Sequence, residues 1–369
     1  MERFDVAIVG GGPAGSSLAW GLRDSGLRVG IVDRAKFPRD KTCAGWVTPS
    51  VWRSLAVDLG EYAAGGRTLQ PIRGFAVGVE GGGSARVAGA EVVSHGIRRC
   101  ELDAFLLARS GAALRLGERV REIARVEDGW LLDGRLHARL LVGAGGHFCP
   151  VARAIGGADD EGAAITAQEI EAPISQGEED GLHLAEEIPH LSFTRDLAGY
   201  GWVFRKGRFL NVGIGRRGGG VAAALRTFVA EQRAQRRVPA GWSGEARGHA
   251  YLTYRSATRP LWRAGVALIG DAAGLAHDRS GEGIRPAVES GLLLARALLA
   301  SRALGDAAAL EAYAAAVTAR YGPRAEVAGA ARVPRWRAAA ARALLVQPWF
   351  ARRVVVEGWF LSEGRGERL

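Results

Sequence analysis

The chain has 369 residues, is 48% hydrophobic and has a formal charge of +10, enough apolar material for one large or two interlocked domains. Lys36, Lys41 and Lys206 are its lysines, which leaves 46 of the 49 basic residues as scattered arginines; no basic patch interleaved with aromatics marks a nucleic-acid surface. Three cysteines, Cys43, Cys100 and Cys149, without a CxxC pattern, argue against a disulfide framework, a zinc site or an iron–sulfur cluster, and no metal is expected.

The β-branched apolar run Phe4 to Val9 predicts a buried parallel strand. Gly10-Gly11-Gly12-Pro13-Ala14-Gly15 follows at once, and Ser16 to Leu22 continues as a helix. Gly10, Gly12 and Gly15 suit a tight turn, close approach to a pyrophosphate and close helix–strand packing, with phosphates held at the helix N-terminus. A second strand, Val29 to Val32, ends in Asp33, 23 positions after Gly10 and placed to accept ribose hydroxyls; Arg34 follows it and is grouped with the cofactor contacts. This unit predicts dinucleotide binding without separating NAD from FAD.

Arg67 to Val93 alternates like sheet, and His95 to Asp103 enters a helix reaching about Ser110. Leu114 to Val142 reads as a strand, a hairpin and a closing strand Ala138 to Val142. About Ala163 to Tyr254 reads as a β-rich domain with a helix from Ala222 to Arg236 and an acidic solvated loop, Glu178 to Glu187. Gly213 to Gly218 repeats the GxGxxG string, but no acid-ended strand follows, so it reads as a glycine-rich turn. The apolar run Val266 to Ile269 then leads into Gly270-Asp271-Ala272-Ala273-Gly274, Ser280-Gly281-Glu282-Gly283-Ile284 and a long helix from about Pro286 to Leu304. Two strand–glycine–helix sites so far apart narrow the reading to a flavoprotein. Helical character continues to the end. There Trp336 to Phe360 mixes Arg with aromatics, as a helix packed on the core or as a surface meeting a membrane or oily partner.

The expected architecture is α/β: a Rossmann-like FAD-binding domain (1–66, 94–160 and 257–310), an interleaved β-rich substrate domain (67–93 and 161–256), and a helical C-terminal segment (311–369). In this order the chain resembles the geranylgeranyl reductase-like flavoproteins, within the FAD fold that includes para-hydroxybenzoate hydroxylase. The resemblance rests on Gly10 to Gly15 with Asp33, Lys41-Thr42-Cys43-Ala44-Gly45, Arg99-x-x-Leu102-Asp103, Gly199-Tyr200-Gly201-Trp202-Val203-Phe204-Arg205-Lys206 with Asn211-Val212-Gly213, and Gly270 to Gly274 with Gly281 to Ile284. The chain departs from the family pattern at Ala44 for glycine, at Arg205 for proline, at His277-Asp278 for Asn-Pro, and at Gly143 to Gly146, which lacks an aspartate.

The resemblance implies that Asp271 bonds the ribityl chain and that the backbone near Gly281, Gly283 and Ile284 faces the flavin pyrimidine, where a helix N-terminus stabilises negative charge. It implies FAD contacts from Ala44, Gly45 and Arg99, with Val120 a backbone contact to adenine and Lys41 either near the phosphates or in solvent. Cys43 is then a proton donor, a pocket-shaping group or a small buried hydrophobe; His277 is an acid or base, or a plain loop histidine. Tyr200, Trp202 and Phe204 share one strand face, either as sheet packing or as the aromatic wall of an apolar substrate cavity.

The leading expectation is an FAD-dependent reductase of C=C bonds in a long apolar, isoprenoid-like substrate, fed by NAD(P)H or a redox protein. A flavin monooxygenase is the alternative, although hydroxylases of this fold usually read Gly-Asp-Ala-Ala-His and Gly274 stands at the histidine position. A halogenase variant lacks a lysine between Lys41 and Lys206. A non-catalytic FAD-binding protein is a third reading. With its first strand at residue 4 and no bilayer-length apolar run, the chain is expected in the cytoplasm, with peripheral membrane contact left open.

Overall fold

The computed structural model describes residues 1–156, 163–175, 177–324 and 335–361; the domain limit placed at 160/161 lies outside them. The first sheet has a parallel core in the order Val266–Leu268, Leu136–Gly143, Glu2–Val9, Val29–Asp33, Ala113–Leu116. Its strands Glu2–Val9 and Leu136–Gly143 are buried on both faces, which is why they read as continuous apolar runs. An antiparallel hairpin, Ile123–Val126 with Gly129–Leu132, extends it from Leu136–Gly143.

Two helices converge on the C-terminal edge of this sheet, Pro13–Leu22 and Ile284–Ala300. They pack in close contact because glycines remove side chains at the crossing. A Cβ on Gly291 would lie 2.6 Å from the Ala14 carbonyl, and one on Gly21 would lie 2.7 Å from Ala295 Cβ. That crossing brings the two glycine-rich turns, 260 residues apart in sequence, to one place in space.

The second sheet has seven strands, in the order Ala246–Tyr251, Ile165–Pro173, Phe209–Arg216, Gly199–Lys206, His190–Phe193, Gly74–Val79, Ser84–Ala88. All pairings are antiparallel except His190–Phe193 with Gly74–Val79. A small third sheet, Trp46–Val47, Ser94–Gly96 and Gln70–Ile72, ties the two together. The second GxGxxG string forms the end of strand Phe209–Arg216 and the turn before helix Val221–Ala234.

The helices after residue 306 divide between the sheets. Ala307–Tyr321 packs on the first, where Tyr313 donates its hydroxyl hydrogen to the Leu268 carbonyl (2.7 Å). Arg335–Leu345 and the helical segment Ala351–Phe360 cover the second, burying Leu345, Val355, Val356 and Phe360 against Trp46, Phe75 and Val77. The acidic loop is only partly given to solvent. Glu179 and Glu186 pair with buried Arg205 (3.2 and 3.3 Å), the arginine standing where the family motif has proline.

Candidate active site

One cavity of about 1120 Å³ runs between the two sheets. That exceeds the roughly 300–1,000 Å³ of an ordinary small-molecule site and leaves room for a dinucleotide and a second ligand. Gly10, Gly12, Pro13, Ala14, Asp33, Arg34, Cys43, Ala44, Gly45, Arg99, Val120, Asp271, Gly281, Gly283 and Ile284 all line it. Gly15 lies outside the lining. It sits under the turn, where a Cβ would press on Ile8 and on the Gly10 carbonyl carbon (3.0 and 3.2 Å).

At one end the cavity is built for a dinucleotide. Gly10 takes a left-handed φ of +121°, and a Cβ there would lie 2.6 Å from the Gly145 nitrogen. Asp33 accepts hydrogen bonds from the N–H groups of Gly11 (2.7 Å) and Ala35 (2.8 Å), which locks the turn to the second strand. Arg39, unremarked in the sequence, reaches over the turn: a Cβ on Gly12 would lie 3.5 Å from its Nη2. Its buried Nη1 has no hydrogen-bond partner among the described residues, and such a donor fits a phosphate oxygen. Arg99 is buried and bidentate to Asp103, 2.7 Å at each contact.

At the flavin end, helix Ile284–Ala300 points its N-terminus into the cavity through Gly283 and Gly281. Asp271 accepts from His249 Nε2 (3.1 Å). Burial alone would raise the Asp271 carboxyl, but that hydrogen bond and the charges of Lys41 and Arg99 bring it to about 2. Burial, with Lys41 beside it, lowers His249 to about 4, so the ring is neutral at pH 7 and donates to a carboxylate. Burial also lowers Lys41, which lines the cavity. His249 and Tyr251 alternate on edge strand Ala246–Tyr251 and both line the site. Sequence reading missed them, and their single signal was that period-2 spacing in a strand otherwise made of Ala, Arg and Gly.

Two expectations are corrected. His277 does not line the cavity: loop 277–282 closes on itself, with His277 N–H donating to Glu282 O (2.8 Å) and Ser280 Oγ bonding His277 Nδ1 (3.0 Å). Phe204 shares the strand face of Tyr200 and Trp202 but lies one pair deeper, stacked on Trp46 (5.4 Å) in the core. Tyr200 and Trp202 do line the cavity, with Ala44, Trp46 and Ala167. The Tyr200 hydroxyl donates to the Ser280 carbonyl, tying the aromatic wall to the flavin-end loop. Gly274 has φ +68°, and a Cβ there would lie 2.5 Å from Ala257 Cβ, so packing excludes a hydroxylase-type histidine at this position.

Residues 3–55 match the FAD binding domain family. The chain is 32% identical over 335 residues to a menaquinone reductase of Mycobacterium tuberculosis, covering 82% of this chain and 78% of that one. It is 28% identical to a chloroplastic geranylgeranyl diphosphate reductase of Oryza sativa, over 82% and 68% of the two chains. The chain belongs to the geranylgeranyl reductase-like family of FAD-dependent oxidoreductases. A geranylgeranyl bacteriochlorophyll reductase-like protein from Thermoplasma acidophilum shares the fold, with a TM-score of 0.73, 17% identity, and coverage of 94% and 88%. Like its relatives, this flavoprotein is an FAD-dependent oxidoreductase, and its cradle of Gly10, Gly12, Asp33 and Arg39 suits the pyrophosphate and ribose of FAD.

Proposed function

We propose that this flavoprotein reduces a C=C bond in a long apolar, isoprenoid-like substrate. One observation carries the reading: a single cavity has a dinucleotide cradle at one end and, beside the flavin end, a wall of Trp46, Tyr200, Trp202 and Ala167. The reductases named above support the substrate class. FAD, when bound and reduced by NAD(P)H or a redox protein, supplies the hydride. The chain's own residues position and shield it. Asp271 and the N-terminus of helix Ile284–Ala300 hold the flavin end, and the aromatic wall excludes water from the alkene. Cys43, or a water beside it, delivers the proton to the second carbon. The test is anaerobic: photoreduced protein is mixed with an isoprenoid alkene and the saturated product is measured. Reoxidation by oxygen with a hydroxylated product, and none with the alkene, would favour the monooxygenase instead.

We infer further that the substrate arrives from a membrane surface. Trp336, Leu344 and Trp349 are exposed within one 14-residue stretch, beside the exposed Arg337, Arg352 and Arg353. Aromatic and arginine side chains together fit an anionic headgroup layer. The same segment places Phe360 against Tyr200 of the cavity wall (5.5 Å). Among the described residues no helix is long and apolar enough to cross a membrane.

A further inference from the structure

Cys43 has both its main-chain groups held from the second sheet. Its N–H donates to Glu169 Oε1 (2.8 Å), and its carbonyl accepts from Asn211 Nδ2 (3.4 Å) and Lys206 Nζ (3.5 Å). These partners come from three adjacent strands, Ile165–Pro173, Phe209–Arg216 and Gly199–Lys206. All three are buried, Asn211 and Lys206 completely. Asn211 Nδ2 also reaches Glu169 Oε2 (3.2 Å) and Glu171 Oε2 (3.1 Å). Lys206 Nζ bonds Glu171 Oε2 at 2.6 Å, and Arg98 Nε reaches the other oxygen of that carboxylate at 3.0 Å. On its remaining side Asn211 Oδ1 accepts from Trp202 Nε1 (2.6 Å). One amide therefore stands between the loop cysteine and the indole of the substrate wall. Gly45 makes the approach possible, since a Cβ at its φ of +68° would lie 2.5 Å from Lys206 Nζ.

Buried ion clusters add little net stability compared with apolar packing, but a fully satisfied network rigidifies what it touches. We propose that Asn211, Glu169 and Lys206 are positioning residues that fix Cys43 and Trp202 relative to one another across the cavity. The catalytic consequence rests on the reductase reading; the positioning itself does not.

The experiment is peptide-resolved alkylation of Cys43 by iodoacetamide, without substrate, in FAD-loaded and FAD-free protein. Asn211→Ala removes one of the two donors to the Cys43 carbonyl and one partner of the Glu169 carboxylate, and the Cys43 rate rises by about tenfold, the equivalent of one or two lost buried hydrogen bonds. Gln232→Ala removes an equally buried amide whose Oε1 accepts from Arg237 (3.0 Å), and leaves that rate unchanged. A Cys43 rate within about twofold of wild type in folded Asn211→Ala overturns the proposal, since losing even one typical buried bond exceeds that. If that variant does not fold, Trp202→Phe decides: it removes the indole N–H that Asn211 Oδ1 accepts, together with part of the ring, raises the rate by about threefold, and an unchanged rate overturns the proposal. Cys43→Ala that still turns over would remove the thiol from the chemistry and leave the alkylation result untouched.

Discussion

Gly213→Ala tests how tightly the substrate wall is set. Gly213 lies on strand Phe209–Arg216 directly opposite Trp202 on one side and Glu169 on the other. A methyl group there would fall 2.6 Å from Trp202 Cε2 and 2.8 Å from Glu169 Cβ. Carbon atoms in contact want about 3.5–4.0 Å, so the ring has to retreat by about 1 Å or more. Its one open direction is the cavity it lines, and moving that way strains the Nε1 bond to Asn211. Overpacking of this kind costs about 1–3 kcal/mol, and stretching the indole hydrogen bond adds about 1 kcal/mol, for a total of about 2–4 kcal/mol. Denaturant unfolding of the FAD-free protein, followed by circular dichroism, measures the loss. Substrate KM rises as the indole tilts towards the cavity. Unfolding within about 0.5 kcal/mol of wild type, with unchanged KM, would refute the reasoning, because surface-like tolerance of this size is incompatible with a locked ring.

Phe204→Leu destabilises the fold by about 1 kcal/mol or more, as core truncations do, while KM stays at the wild-type value; Trp202→Ala raises KM, and the two titrations together separate core from wall. His190 is 5% exposed, neither ring nitrogen has a hydrogen-bond partner among the described residues, and burial lowers it to about 3; His249 sits at about 4. Both rings are neutral in the fold and protonate near 6.5 in the unfolded chain, so the unfolded state binds more protons below that value. Stability is therefore full above about pH 6.5 and falls towards pH 4, by up to about 1.4 kcal/mol per pH unit for each ring, and His190→Leu flattens the slope by one proton. Co-sedimentation with phosphatidylglycerol vesicles exceeds that with phosphatidylcholine and drops in Trp336→Ala/Trp349→Ala; equal binding to both lipids by the wild type would sink the membrane contact.

The flavoprotein character was legible in the sequence because it depends on local chemistry. A strand, a glycine turn and a helix N-terminus are contiguous, the strand-end acid follows 23 positions on, and Gly10 and Gly281 take the left-handed φ (+121° and +66°) that such turns ask of glycine. Period-2 spacing likewise put Tyr200, Trp202 and Phe204 on one face. Depth along that face was not legible: whether a residue meets the cavity or the core depends on Trp46 and Phe360, which lie 158 residues before and 156 residues after Phe204. The same holds for His249, which acquires its partner Asp271 only when the edge strand of one sheet meets the turn of the other. For His277 the sequence left an acid–base role and a plain loop histidine both open, because its loop closes on itself through main-chain bonds that residue type does not report. Lys206 and Asn211 stand in the aromatic motif of the resemblance and Glu169 in no motif at all; antiparallel register stacks the three under Cys43. The sequence by itself therefore determined the nucleotide-binding turns through short-range geometry, and pointed to FAD and the family through paired motifs and the resemblance they carry. The tertiary structure alone decided which side chains meet in the cavity, because those meetings are set by sheet register and helix crossing between segments far apart in the chain.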